Sequence, residues 1–478
     1  MHSAHTNIPK KTGEISFDRK QLKYCYECGI CTASCPVAEL FGKDYNPRVL
    51  FEKTVLNFED LLTSDELWLC AWCYRCYRRC PQGQNLPEIF LSLRKIAREL
   101  GYVRPFEEAL HKIVEKVPLP LSTTLICFHP ERTGLELEEA LTRIEQISKE
   151  FHKTEREKRG TKTARGKAAV IGSGPAGLTV AYELGRRGHA VKVFEALQEP
   201  GGMLWKCIPG HRLPKDVLAR DIRIIEDLGV EIETGVKIGK DLSFDDLRSR
   251  GYEAIFIGTG AHESREMRIE GGDLGGVIHA LDYLWRVNTG DEMGRGRNVV
   301  VIGGGTVAMD AAKTALRVGA KEVTVLYRRS RDEMPANPWE LKEAEEEGVN
   351  FEFLASPLKI LGEDGRVSAV ECIRMQLGEL DETGRRKPTP VEGSEFQRET
   401  GLVILAIGEV PGLDFLPGEI LLDEDGTVWV NPITMETSMP GVFAGGDAVT
   451  GAASAIEAIR AGKCAAESMK EYLKSLGE

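Results

Sequence analysis

Two stretches of this chain repeat one cysteine pattern, and no other feature limits its fold so tightly. "YCYECGICTASCP" sets Cys25, Cys28, Cys31 and Cys35 ahead of Pro36, and "LCAWCYRCYRRCPQGQN" sets Cys70, Cys73, Cys76 and Cys80 ahead of Pro81. Eight of the twelve cysteines therefore fall in two copies of C-x2-C-x2-C-x3-C-P. Zinc sites usually join two separated pairs of ligands, and disulfide frameworks belong to exported chains. Three close thiols with a fourth before proline form the run that holds 4Fe–4S clusters, the fourth cysteine serving the other cluster. The spacing assigns Cys25, Cys28, Cys31 and Cys80 to one cluster and Cys35, Cys70, Cys73 and Cys76 to a second.

The rest of the chain must explain why it carries two clusters. At 478 residues it exceeds what one hydrophobic core supports, so two or three domains are expected. Its net charge of −12 argues against a general nucleic-acid binder. No run approaches the roughly 18 apolar residues of a membrane span. The opening "MHSAHTNIPKKTGEIS" lacks the apolar core of a secretory signal. With clustered C-x-x-C cysteines, this points to metal ligation in a reducing cytoplasm.

Residues 36–69, between the cysteine runs, read as helical, as does "LPEIFLSLRKIARELG" after them. The block 1–105 thus resembles the all-α ferredoxin domains of heterodisulfide reductase and succinate dehydrogenase iron–sulfur subunits. Trp72, Tyr74, Arg75, Tyr77, Arg78 and Arg79 stand between or beside the ligands. They either shield and pack the clusters, or their charge tunes potential and forms a docking face. Residues 106–165 read as charged helix ending in a basic, polar linker. Within them, Cys127 and His129 have no partner at ligand spacing and receive no role.

"KAAVIGSGPAGLTVAYELGRRGHAVKVFEA" begins at Lys167 and reads as strand, turn, helix and strand. Gly172 permits the tight turn, Gly174 the close approach of backbone N–H groups to a pyrophosphate, and Gly177 the packing of helix on strand. Pro175 and Ala176 open the helix whose N-terminus faces the phosphates. Glu195 closes the second strand, where an acid accepts a ribose hydroxyl. A second fingerprint, "VVVIGGGTVAMD", places Gly303, Gly304, Gly305, Thr306, Val307 and Ala308 in the same roles, with Ala308 at the third glycine position. Its following strand ends in Arg328 and Arg329 instead of an acid, which predicts a 2′-phosphate and hence NADP(H).

The strand "GVFAGG" delivers Gly446 and Asp447, the carboxylate suiting a ribityl hydroxyl of a flavin. The strands at 254–261 and 401–411 each end in a Gly-rich turn, the first carrying Gly260, and read as crossings between two nucleotide domains. The expected architecture is α/β: an FAD-binding domain at 166–283 and 400–478, interrupted by an NAD(P)H-binding domain at 284–399. Both are Rossmann-like, and the mostly α-helical ferredoxin domain precedes them.

Residues 165–478 resemble the small (β) subunit of glutamate synthase. They also resemble the large subunit of NADH-dependent reduced ferredoxin:NADP oxidoreductase and the N-terminal half of dihydropyrimidine dehydrogenase. The motifs "GSGPAGL", "EPGGMLWKCIPGHRLPKDVL", "VVVIGGGTVAMD", "LYRRSRDEMPA" and "GVFAGGDAV" carry the likeness. It implies that Gly202, Met203, Leu204, Ile208, Pro209 and Arg212 lie near the flavin ring. Cys207 departs from that pattern, where Gly is common. It stands alone, so no dithiol mechanism is expected, and it reads as packing.

Hydride donors deliver two electrons and clusters take one, and a flavin converts between them. The sequence therefore predicts an NADPH-linked oxidoreductase subunit with FAD and two 4Fe–4S clusters, with no side chain in a catalytic role. Electrons would pass between NADP(H), FAD, the clusters and other redox subunits of a hetero-oligomeric complex, ferredoxin among the candidates. An electron-bifurcating transhydrogenase or a heterodisulfide-reductase-like complex is the leading setting. The alternative is the small subunit of NADPH-dependent glutamate synthase.

Overall fold

The computed structural model describes residues 25–56, 58–159, 166–381 and 384–476. Residues 1–24 and the polar stretch expected at 160–165 lie outside the described residues. Among the described residues no helix is long and apolar enough to cross a membrane.

The iron–sulfur region is helical, as expected. Short helices Ile30–Ala33, Pro36–Phe41, Pro47–Leu56 and Phe58–Leu62 connect the cysteine runs, followed by α1 (Arg75–Arg79) and α2 (Leu86–Glu99). Asn85 caps α2, its side chain accepting from the Glu88 N–H, and Pro87 sits in the first turn, where no N–H is missed. The apolar face of α2 buries Ile89, Phe90, Leu93 and Ile96. The helices that follow, Arg104–Lys116 and α3 (Leu137–Arg159), are core and not linker: Leu110 and Ile144 are fully buried. Each keeps one apolar stripe beneath its charge, which hid its core face in a composition-based reading.

The strands are β1 (Lys167–Ile171), β2 (Ala190–Glu195), β3 (Glu231–Thr234), β4 (Ala254–Ile257), β5 (Glu263–Ser264), β6 (Val277–His279), β7 (Asn298–Ile302), β8 (Glu322–Tyr327), β9 (Asn350–Phe353), β10 (Ala355–Glu363), β11 (Arg366–Leu380), β12 (Arg386–Pro390), β13 (Phe396–Glu399), β14 (Leu402–Leu405), β15 (Glu409–Val410) and β16 (Val442–Ala444). A first parallel sheet runs β16-β4-β1-β2-β3, and a second runs β6-β14-β7-β8-β9. β1, β4 and β14 are near-continuous apolar runs because both faces of each sheet are covered. α4 (Pro175–Gly185) follows β1, α5 (Thr306–Val318) follows β7, and α6 (Pro338–Glu346) follows β8. α7 (Ala455–Ser475) closes the chain against α4. The antiparallel strands β10 to β13 cover one face of the second sheet.

The inserted domain is longer at both ends than 284–399. β6 precedes that range and β14 follows it, and both belong to the second sheet. The chain crosses between domains at the ribbon β5–β15, where Ser264 pairs with Glu409 and Glu263 with Val410. β4 and β14 are both short apolar runs, and the pairing of Leu402–Leu405 with Val299–Ile302 puts β14 in the second sheet.

The iron–sulfur region is no separate bead. One apolar core runs from Val37 and Leu50 through Ile113 and Ile144 into Val170, Phe256 and Leu473 of the first α/β domain. Polar contacts tie the same boundary: Asp221 accepts from the N–H groups of Leu121 (3.1 Å) and Ser122 (2.7 Å), and Lys463 donates to Lys116 O at 2.7 Å.

Candidate functional site: two dinucleotide turns and two cysteine cages

At the end of β1 the chain turns sharply at Gly172, whose φ of +96° and proximity to Gly258 O exclude a side chain. Pro175 opens α4 and Gly174 caps it, leaving the first N–H groups and the positive end of the helix facing the carboxyl edge of the sheet. Ala176 and Gly177 are buried beneath, Gly177 lying against the Gly172 carbonyl. Glu195 stands at the end of β2, 5% exposed. Its carboxylate accepts from Ser173 N (2.9 Å), Ser173 Oγ (2.5 Å) and Leu197 N (2.8 Å). Ser173 Oγ also accepts from Gly201 N at 2.9 Å, which fastens the next segment to the turn.

That segment, 201–209, lies backbone on backbone against the turn, since a side chain at Gly202 would stand 2.8 Å from Gly174 Cα. Met203 and Leu204 open its short helix. Lys215 Nζ donates to Leu204 O (3.1 Å) and Ile208 O (2.8 Å), and Asn288 Nδ2 donates to Lys206 O (3.0 Å) and Ile208 O (3.1 Å). Burial pushes the Lys215 ammonium down to about 8. Gly260, after β4, and Gly446 and Asp447, after β16, reach the same edge, because β16, β4 and β1 are neighbours in the sheet. Burial pushes the Asp447 carboxyl up to about 7. A hydroxyl donor from a bound flavin would suit that carboxylate, so these residues fit the cofactor. The Arg212 guanidinium pairs with Asp310 on α5 at 2.5 Å, bridging the two α/β domains.

The second turn repeats the first. Gly303, with φ +146°, lies against Ala406 O, and Gly305 caps α5, which opens with Thr306 and Val307. Ala308 is fully buried, its methyl accommodated. Gly304 O accepts from Ala336 N at 2.9 Å, and Thr306 Oγ1 donates to Glu340 at 3.1 Å. The two arginines after β8 part company. Arg328 is exposed. Arg329 is buried, donating to Arg386 O at 2.8 Å and pairing with Asp381 at 2.6 Å. Burial pushes the Tyr327 phenol up, against the charges of Arg385, Arg329 and Arg328, which marks Arg385 as a second basic group at this strand end.

Cys25, Cys28, Cys31 and Cys80 line one cavity, with Arg48, Phe51 and Pro81 among its walls. Cys28 is exposed, so this outer cage opens to solvent. Cys35, Cys70 and Cys76 are buried and gather with Cys73 into an inner cage. Burial, reinforced by neighbouring thiolates, pushes the Cys35 and Cys76 thiols up. Four cysteine sulfurs gathered in each cage are the donor set that fits an iron–sulfur cluster. Cys80 thus stands beside the cysteines of the first run, and Cys35 beside those of the second. Beneath the inner cage Arg94 is buried and donates to Leu67 O (3.0 Å), Cys70 O (2.8 Å) and Phe128 O (3.2 Å). Tyr45, fully buried, is hydrogen-bonded to Cys70.

The interleaved side chains pack internally. Trp72 and Tyr74 are buried, Arg75 pairs with Glu457 on α7, and Arg78 bonds Pro335 O (2.9 Å) and Asn337 Oδ1 (2.7 Å). Of the arginines beside the inner cage, Arg78 and Arg79 are both exposed. Cys207 is buried, and burial pushes its thiol up to about 12, the inert state of a packing residue. Cys127 is likewise buried, its thiol pushed up to about 12.

Two α/β domains, each with a nucleotide-type turn, are joined by a two-stranded crossing, and residues 166–462 match the pyridine nucleotide-disulphide oxidoreductase family. The chain belongs to that family. Residues 21–84 match the 4Fe–4S dicluster domain. Members of this family are FAD-dependent NAD(P)H oxidoreductases, and this one carries its dicluster domain at the front. It is 47% identical over 315 residues to the NADP(+)-dependent formate dehydrogenase subunit beta of Moorella thermoacetica, covering 65% of this chain and 44% of that one. It is 37% identical over 437 residues to the NADPH-Fe(3+) oxidoreductase subunit beta of Geobacter sulfurreducens, covering 84% of this chain and 63% of that one. The glutamate synthase (NADPH) small chain of Azospirillum brasilense is 40% identical over 326 residues, covering 65% of this chain and 67% of that one. The chain therefore spans about half to two thirds of the length of these relatives. Mycobacterium tuberculosis FprA in complex with NADPH shares the fold, with a TM-score of 0.55 and 22% identity over 66% of this chain and 85% of that one. So does Lactococcus lactis thioredoxin reductase, with a TM-score of 0.53 and 24% identity over 65% of this chain and all of that one.

Proposed function

We propose that this family member is an NADPH-linked electron-transfer subunit, passing electrons between NADP(H) and a partner subunit. The observation that carries the reading is the order of sites in space: the inner cage is buried at the domain boundary while the outer cage opens to solvent. When bound, FAD supplies the exchange between hydride and single electrons, and the clusters supply one-electron relay. The chain's own residues bind and orient. Ser173 and Glu195 fix the flavin-side turn, Lys215 and Asn288 hold segment 203–208 in place, and the exposed Arg328 awaits a 2′-phosphate. The regular double cysteine run supports a complex of the electron-bifurcating transhydrogenase or heterodisulfide-reductase-like kind. Relatives named as beta subunits of formate dehydrogenase and of an Fe(3+) oxidoreductase support a partner subunit. The relatives named glutamate synthase small chain favour a second reading, delivery of electrons to a glutamate-forming subunit.

Anaerobically purified protein should hold about eight iron atoms and one FAD, and NADPH alone should raise cluster EPR signals. Flavin reduction with silent clusters would refute the route. Arg328→Ala should weaken NADPH binding about tenfold to a hundredfold, the worth of a lost charge-assisted bond, and leave NADH untouched. Equal losses for both nucleotides would remove Arg328 from the 2′-phosphate site.

A further inference from the structure

The inner cage and the NADP(H) turn are joined by one short strip of chain, residues 335–340. On the cage side, Trp72 lies between ligands Cys70 and Cys73 and stacks on Trp339 of α6, with centroids 5.5 Å apart and planes 5° apart. The Arg132 guanidinium sits 3.3 Å over Trp339 and 4.8 Å from the Trp72 centroid, and pairs with Glu343, one turn along α6, at 2.8 Å. Arg78, two residues past ligand Cys76, holds Pro335 and Asn337. Among the described residues neither indole N–H finds an acceptor, so ring contact and the cation hold this pair. On the nucleotide side, the same strip contacts the phosphate turn. Ala336 N donates to Gly304 O, and Glu340 accepts from Thr306 Oγ1 and, at 2.7 Å, from Asn337 N.

We infer that Trp339, gripped by Trp72 and Arg132 on a strip that Arg78 anchors at Pro335 and Asn337, is a positioning residue that sets the NADP(H) turn against the flavin segment and couples it to the inner cage. The inference rests on the reading that NADP(H) binds at residues 303–308. A packed strip that touches both sites changes its arrangement as a unit, and a coupling between two binding equilibria acts equally in both directions. Nucleotide in the turn therefore alters the surroundings of the inner cluster, and loss of the stack misplaces the nicotinamide relative to the flavin.

The test uses the full chain with both clusters, purified anaerobically, and 2′,5′-ADP as a redox-inert probe. In the native protein the probe should bind and change the EPR line shape of the dithionite-reduced inner cluster. In Trp339→Ala that change should vanish. The saturating rate of flavin reduction by NADPH should fall at least about tenfold, the scale of a misplaced reactant, while reduction by dithionite is unaltered. Trp339→Tyr, which keeps a flat ring, should restore most of the rate. An unaltered NADPH rate together with a persisting line-shape change overturns the inference. No binding of the probe to native protein overturns the underlying site reading instead. Arg78→Ala, at the edge of the strip, should show the same two losses in smaller degree. It decides the matter if Trp339→Ala does not fold.

Discussion

The loops Cys25–Cys31 and Cys70–Cys76 trace the same backbone with opposite surroundings. The residue before the second cysteine is left-handed in both, Glu27 at φ +51° and Trp72 at +48°. The residue after it is left-handed in both as well, Gly29 at +76° and Tyr74 at +58°. That shared winding brings three thiols round one point, and it is a requirement of the cage. The side chains then follow location. In the outer loop Tyr26 is 70% exposed, and glycine takes one left-handed position without strain. In the inner loop Trp72 and Tyr74 are buried, so a bulky residue is held where glycine would be easier. Such strain, about 1–2 kcal/mol per residue, falls on the exposed Glu27 in the outer loop and on two buried aromatic residues in the inner one. The inner loop is thus both a ligand cage and a domain interface; the outer loop is a cage alone.

The comparison breaks most decisively at a ligand. Cys76→Ser should remove the inner cluster, drop iron from about eight to about four atoms per chain, and stop electrons from NADPH reaching an external acceptor while the flavin is still reduced. It should also lower the thermal midpoint, because Cys76 is buried beside the domain boundary. Cys28→Ser, at the exposed rim, should remove the outer cluster with little change in midpoint. Equal destabilisation by the two variants would deny the inner loop its structural role.

Tyr74→Gly comes next. The ring is fully buried and its hydroxyl donates to Glu88 in a short bond. Removing it should cost about 3–5 kcal/mol of packing, offset by about 1–2 kcal/mol of relieved left-handed strain. The net effect is a clear fall in thermal midpoint with iron content retained. A gain in stability would mean that backbone winding, not the interface, selects this residue.

How far such features could be read in advance depends on whether a residue's role is local. The placing of Cys80 beside the first run and of Cys35 beside the second was legible because ligand spacing is itself the chemistry, and the glycines at 172 and 303 because a tight turn admits little else. Arg328 and Arg329 follow β8 side by side, yet the first is exposed and the second buried. Which of them turned inward depended on Asp381, more than fifty residues on. Ser173, Lys215, Asn288 and Trp339 had no local signal, since each acts through a partner that only the fold brings near. The run at 401–411 read as a crossing, and its strand β14 pairs within the second sheet, because an apolar run does not reveal its neighbours until registers form.

The smallest effect is the most discriminating for the outer loop. A Cβ built at Gly29 meets nothing within 4 Å, so Gly29→Ala changes no contact and isolates the left-handed backbone. Its cost should be about 1–2 kcal/mol, seen as a slight fall in thermal midpoint at full iron content. Gly29→Asn should cost less, because a short polar side chain tolerates this conformation. Loss of the outer cluster on either substitution would show that the outer cage needs glycine for room and not for φ. Its winding would then lack the tolerance that Tyr74 demonstrates in the inner loop, and the two loops would be alike in spacing only.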